Sequence, residues 1–251
     1  MSKINYRIML HTVSPDSLNG PNSVWKCIKN SYLNNKYEFI DLVQGESSGK
    51  NPFKMLKLIL RMRKQINDAK VDIVHVTGLQ LAGFYATLAA RLSNASNIIV
   101  GVHGFSGDAL NITKIERFIF NRIIEPWTVR MATKVYTVCE YGASNPIIKR
   151  NAKKNFHGVI HNPVPKINFD EYDSSIFRRE IGAGNDDILV AVVGRVVYDK
   201  GHSYIIDAIK KINDKRIKFV IVGDGEYLKT YNEELTDYIN VDDAIKMEEF
   251  Y

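Results

Sequence analysis

Arg195 stands one residue past the glycine that ends the apolar run "ILVAVVG", and Lys200-Gly201 follows five residues later at the head of a helical pattern. Two fixed cations beside a helix N-terminus make a site for a diphosphate, each charge-assisted hydrogen bond contributing about 1.5–3 kcal/mol. The next apolar run, "KFVIVGDGE", closes on Gly223 and Gly225, whose lack of side chains lets a flat group such as a nucleotide base approach the backbone. Taken singly, the cations read equally as surface charges and "GDG" as a turn. On consecutive strand ends they favour a nucleotide diphosphate.

Position past a strand matters because open parallel α/β sheets bind ligands outside the carboxyl ends of their strands. Apolar, β-branched runs predict strands over 6–12, 37–43, 71–77, 97–104, 134–140 and 156–162, with helices over 22–33, 52–67, 79–93, 114–130 and 141–150 between them. That alternation predicts an α/β fold, with these strands in one open parallel sheet of a Rossmann-like N-terminal domain. A strand over 187–194, a helix over 201–213 and a strand over 217–222 begin a second Rossmann-like domain. The polar, proline-containing stretch near 163–175 marks the boundary, giving domains at 1–168 and 186–251 with a linker at 169–185. His11, Gly20, Thr77, His103 and Glu140 then fall along one rim, with His11 and Glu140 assigned to the acceptor side. His103, ending "NIIVGV", is either a hydrogen-bonded strand terminus or a ligand of the crevice, and the sheet rule favours the crevice. Gly20 is either a turn glycine, the better reading of the residue alone, or a point where backbone N–H groups meet an anion ahead of a helix capped by Asn22 or Ser23 near Val24.

The chain has 251 residues, 45% of them hydrophobic, and a net charge of +6. Residues 1–180 carry 25 Lys+Arg against 14 Asp+Glu, while 181–251 carry 9 against 14, so the first part favours an anionic partner. Helix 52–67 places Lys54, Lys57, Arg61 and Lys64 beside the apolar stripe Met55, Ile59, Met62 and Ile66. Two readings stay open for it: adhesion to an anionic membrane surface, or a solvated face on a core-packed helix. Lys149, Arg150, Lys153 and Lys154 form a second basic run, better read as a solvated face. No apolar run of membrane-spanning length occurs, and the N-terminus leads straight into a strand with no signal-peptide pattern, so a cytoplasmic location is expected. Cys27 and Cys139 lie outside any metal or redox spacing. No G-x-G-x-x-G follows the first strand and no nucleic-acid reader motif is present, which disfavours a dinucleotide oxidoreductase and a nucleic-acid partner.

"VVGRVVYDKGHSYIIDAIKKI" followed by "KFVIVGDGE" resembles the second-domain signature of the glycosyltransferase family 4 (group 1) enzymes, retaining transferases of the GT-B fold. "DIVHVTG", "IIVGVHG", "VYTVCEYGASN" and "VIHNPV" resemble, in order, the family's first-domain strands and interdomain crossing. The resemblance implies that Arg195 and Lys200 hold the diphosphate of a nucleotide-sugar donor and that the 223–225 loop approaches the nucleotide. It further implies that His103, the catalytic-site candidate, contacts the transferred sugar, and that Gly20 lies in the phosphate-proximal loop. No metal or other cofactor is implied, because the two cations stabilise the departing diphosphate. The implied reaction moves a sugar onto a glycan or lipid-linked glycan acceptor in surface polysaccharide biosynthesis, at the inner face of the plasma membrane. Pro21, Cys139 and Pro163 depart from the family pattern, and the distal pair of donor-gripping glutamates eight residues apart has no counterpart in context; Glu226 and Glu234 share that spacing by coincidence. The expectation is therefore a second domain that is incomplete, with an inactive truncated remnant or an acceptor-binding half of a split enzyme as the alternative.

Overall fold

The structure is a computed structural model that describes residues 6–15, 20–45, 51–109, 112–164, 168, 173–212, 214, 216–227 and 230. Two compact units divide the chain, Met1–Lys166 and Ile167–Tyr251. The first holds strands β1 (Tyr6–Thr12), β2 (Tyr37–Val43), β3 (Ile73–Thr77), β4 (Asn97–Val102), β5 (Lys134–Thr137) and β6 (Phe156–Val159). They pair in parallel in the order β2-β1-β3-β4-β5-β6. Helices α1 (Gly20–Lys29), α2 (Pro52–Ala69), α3 (Leu81–Arg91), α4 (Lys114–Ile119), α5 (Glu125–Met131), α6 (Glu140–Ser144) and α7 (Pro146–Asn151) make the connections.

Alternation along β1 shows how the sheet is covered. Met9 joins a core with Val74, Val100, Met62, Ala86 and Val129, while its neighbour Leu10 joins a separate cluster with Val24 and Trp25 of α1. Successive side chains of a strand point to opposite faces, so both faces carry helices and the central strands read as unbroken apolar runs. Asn51 starts α2 by accepting hydrogen bonds from the N–H groups of Phe53 (3.0 Å) and Lys54 (3.2 Å), with Pro52 in the first turn, and Lys70 ends it in the left-handed region at φ 48°. Leu58, Ile59, Met62 and Ile66 bury its inner face, each contributing about 1.5–3 kcal/mol.

Several elements end sooner than their patterns suggest. The expected helix over 114–130 is α4, a π-helical turn at Phe120–Ile124 and α5. Pro126 lacks the N–H that would bond Arg122 O, and the Glu125 N–H instead reaches back five residues to Phe120 O. The helix expected over 141–150 breaks at Asn145, which caps α7 ahead of Pro146.

In the second unit, α8 (Ser174–Glu180) occupies part of the stretch read as a linker, capped by Asp173. Strands β7 (Ile188–Val193) and β8 (Ile217–Val222) pair in parallel from Ile188↔Ile217 to Val193↔Val222. Helix α9 (His202–Ile209) packs Ile206 and Ile209 against Val196.

Candidate functional site

Because the six strands run parallel, Thr12, Thr77, Val102 and Thr137 end β1, β3, β4 and β5 at one edge. The order turns at β1, which has β2 on one side and β3 on the other, and such a switch point opens a crevice at the carboxyl edge. The structure thus brings the ends of β1, β3, β4 and β5, and with them Gly20, Thr77, His103 and Glu140, to one rim.

His103 follows β4 and is half-buried, which holds its imidazole below the ordinary histidine range and keeps it neutral near pH 7. Its Nε2 is shielded from solvent and meets no hydrogen-bond partner among the described residues. A neutral ring nitrogen so placed suits a hydroxyl group better than an anion. Glu140 is exposed at the first position of α6.

Two expectations need correction. Gly20 is the first residue of α1, not a loop residue ahead of a later helix, and Asn22 lies within that helix. Asn22 instead staples the helix start to the end of β1, accepting from Thr12 Oγ1 at 2.8 Å and donating to Ser14 O at 2.6 Å. A Cβ added at Gly20 would meet nothing within 4 Å, so the position is open space beside first-turn N–H groups. His11 is 1% exposed, with Nε2 2.9 Å from Gln44 Oε1, and burial pulls its pKa down to about 4. A side chain enclosed this way cannot meet an acceptor; it braces β1 against the loop after β2, while its carbonyl accepts from Trp25 Nε1 at 2.9 Å.

No motif marks Glu125, an acid set among apolar residues in "IIEPWTV". It is fully buried, and its Oε1 accepts the Ser106 N–H at 2.6 Å while Oε2 has no partner among the described residues. Burial raises its pKa above the usual carboxylate value. It fixes the loop that carries His103, which Tyr141 also ties by donating to Asp108 Oδ2 at 3.2 Å. His75 was likewise passed over: it lies edge-on to Trp25 (4.7 Å between ring centroids) and 3.1 Å from the Tyr136 hydroxyl, and burial with the nearby His103 lowers its pKa to about 4.

In the second unit, Arg195 and Lys200 are both exposed on the connection from β7 to α9, and neither pairs with a carboxylate among the described residues. Val196, fully buried between them, anchors that connection. Tyr198–Lys200 form a 3-10 turn and Gly201, at φ 71°, starts α9. Burial, then the charge of Lys200, lowers the pKa of His202.

Gly223 and Gly225 have a reason that sequence reading missed. A Cβ on Gly223 would lie 1.9 Å from Gly194 O, and one on Gly225 would lie 2.2 Å from Val196 O. Gly194 N–H donates to Val222 O and Val196 N–H to Asp224 O, both at 2.9 Å, so the two strand-end loops run backbone against backbone. The glycines bring the β8 loop onto the loop that carries Arg195; this explains their presence without any nucleotide. Among the described residues no cluster of His, Cys, Asp and Glu is arranged to hold a metal.

A doubly covered parallel sheet with a crevice at its carboxyl edge, followed by a unit whose first βαβ connection presents two exposed cations, is the α/β architecture of GT-B proteins. Residues 26–137 match the Glycosyl transferase 4-like family and residues 173–245 match Glycosyl transferases group 1. The chain belongs to the group 1, family 4-like glycosyltransferases. An uncharacterized glycosyltransferase of Methanocaldococcus jannaschii is 36% identical over 88 residues, which are 33% of this chain and 22% of that protein. Among solved structures, Anabaena HepE in complex with UDP and glucose aligns with a TM-score of 0.71 at 14% identity, covering 97% of this chain and 69% of that one. Sucrose-phosphate synthase from Thermosynechococcus elongatus aligns with a TM-score of 0.69 at 12% identity, covering 97% and 70%. The S. aureus MnaA–UDP structure also aligns, with a TM-score of 0.60 at 14% identity over 96% of this chain and 67% of that one. These likenesses establish the fold.

Proposed function

We propose that this protein takes part in retaining transfer of a sugar from a nucleotide-sugar donor to a glycan or lipid-linked glycan, in surface polysaccharide biosynthesis at the inner face of the membrane. The observation that carries the reading is the pair Arg195 and Lys200, both exposed, without carboxylate partners among the described residues, and held on the β7–α9 connection. Both cations offset charge that develops on a departing diphosphate. His103, neutral and with an Nε2 that has no partner among the described residues, hydrogen-bonds a hydroxyl of the transferred sugar. Glu140 stands on the acceptor side of the same rim, and Glu125 positions the His103 loop without touching substrate.

Anchoring at an anionic membrane is supported by α2, where Lys54 and Lys57 are exposed beside Phe53, 82% exposed, and Leu56, 55% exposed. Lys64 pairs with Asp68 at 2.6 Å and Arg61 bonds Gln44 O, so the first two turns carry the reading. No helix among the described residues is long and apolar enough to cross a membrane.

The test is to supply UDP-sugars and other nucleotide-sugars with a lipid-linked glycan acceptor and to follow nucleoside diphosphate release and product anomer by NMR. Release coupled to transfer with retained configuration supports the reading; transfer with inverted configuration, or turnover that needs no acceptor, contradicts it. UDP is the first nucleotide to try because the similar Anabaena HepE structure contains it.

A further inference from the structure

The basic residues of the first unit are not all spread over a solvated face. Arg117, Arg122, Arg130 and Arg150 line one cavity of about 540 Å³, in which Asp108 is the acid. Arg117 donates to Ala109 O at 3.2 Å, and Arg122, Arg130 and Arg150 pair with no carboxylate among the described residues. Four guanidinium groups around one concavity repel one another unless an anion enters, and their planar forks match phosphate oxygens.

A second, independent feature lies beside the cavity. Along α4, the π-helical turn and α5, Ile115, Ile119, Ile123 and Trp127 recur every four residues and are 73%, 39%, 47% and 56% exposed. Arg122, Pro126 and Arg130 of the cavity wall form the next row, three positions on from those apolar residues. The π-helical turn holds both Asn121 and Arg122 of that wall, and such turns recur at functional sites. An uncovered apolar ridge alone has no defined occupant. Flanking a cavity lined by four arginines, it fits a ligand with a phosphate head and a hydrocarbon tail.

Resting on the sugar-transfer reading above, we propose that this cavity binds the phosphate or diphosphate of a lipid-linked acceptor, with the first part of its chain along the Ile115–Trp127 ridge. A recessed cavity suits a single inserted head group, whereas a flat membrane surface needs only scattered charge. The cavity wall includes Gly107 and Asp108, four and five residues past His103, so a head group seated there lies on the loop that serves the sugar.

Farnesyl diphosphate, below its micelle concentration, is the probe. The chain has two tryptophans, Trp25 buried and Trp127 exposed on the ridge, so a blue shift of emission on binding reports the ridge. The expected result is saturable binding with a blue shift, weakened about tenfold or more by Arg122→Gln with Arg150→Gln. Farnesol should bind far more weakly, and inorganic pyrophosphate should compete without shifting the emission. Ile119→Ser with Ile123→Ser should weaken farnesyl diphosphate and leave pyrophosphate competition intact, which keeps the test available if the arginine variant does not fold. Equal affinity in the arginine variant, equal affinity for farnesol, or binding to phosphatidylglycerol vesicles without binding of farnesyl diphosphate would each overturn the proposal. UDP binding, measured in parallel, separates the two readings: its absence beside farnesyl diphosphate binding defeats the donor reading and leaves the lipid site standing.

Discussion

Two strand-end loops carry the candidate chemistry, and they are held by opposite means. After β4, the loop with His103 is fixed by side chains: Glu125 accepts the Ser106 N–H at 2.6 Å and Tyr141 donates to Asp108 at 3.2 Å. After β7, the loop with Arg195 is fixed by backbone, through the 2.9 Å bonds from Gly194 to Val222 and from Val196 to Asp224, with Gly223 and Gly225 leaving room for the approach. The first arrangement is sensitive to what a carboxyl group does and has open space for a side chain at Gly104. The second is tolerant of surface change and intolerant of a single Cβ.

The sharpest way to break this comparison is to add one methyl group to each side. Gly223→Ala, with its Cβ 1.9 Å from a backbone oxygen and φ at 148°, should cost about 3 kcal/mol or more in urea unfolding of the second unit. Gly104→Ala, on the loop after β4 where nothing lies within 4 Å of an added Cβ, should stay within about 0.5 kcal/mol. Equal effects would remove the distinction.

Acid should act next most strongly, through the first unit. His11 and His75 are held at about 4 against an unfolded value near 6.5, so the unfolded chain takes up protons first as pH falls. The stability these groups contribute is present above about pH 6.5 and is lost as pH falls toward 4, a few kcal/mol in all. Glu125, with its raised pKa, acts in the opposite sense: its contribution is present below the ordinary carboxylate value and is lost as pH rises through its folded pKa. Thermal unfolding against pH checks this, and His75→Gln should flatten the acid slope.

Smaller again is Glu125→Ala, which leaves the Ser106 N–H without its acceptor and should cost about 1–3 kcal/mol, with Glu125→Gln recovering part of the loss. Removing charge from α2 with Lys54→Gln and Lys57→Gln should leave unfolding unchanged and reduce sedimentation with anionic vesicles; unchanged sedimentation would favour a solvated face.

The strands, their membership of one parallel sheet and most helices were legible because hydrophobic period survives in the sequence: "VDIVHVT" and "NIIVGV" announce buried parallel strands, and the stripe Met55, Ile59, Met62, Ile66 announces the buried face of α2. The rim followed from the sheet rule, and the β7–α9 cations from their spacing. Contacts distant in sequence were not legible. Nothing local marks Glu125 as the partner of Ser106, nineteen residues away, or shows His11 meeting Gln44 across β1 and β2. In the sequence alone Gly223 offers space for a nucleotide, and its backbone neighbour Gly194 is invisible because it lies at the end of the other strand. The arginine cavity escaped because its members are scattered from 117 to 150 and meet only after α4, α5 and α7 pack.

The central claim is that Arg195 and Lys200 form a diphosphate clamp on a rigid backbone. Titration calorimetry with UDP on the intact chain, on Arg195→Ala and Lys200→Ala, and on Lys211→Ala just past the far end of α9 measures it most directly. The account predicts binding that weakens with salt, a loss of about tenfold or more for each clamp variant, and no more than about twofold for Lys211→Ala. UDP affinity that is the same in all four proteins, or absent from the intact chain, would contradict it.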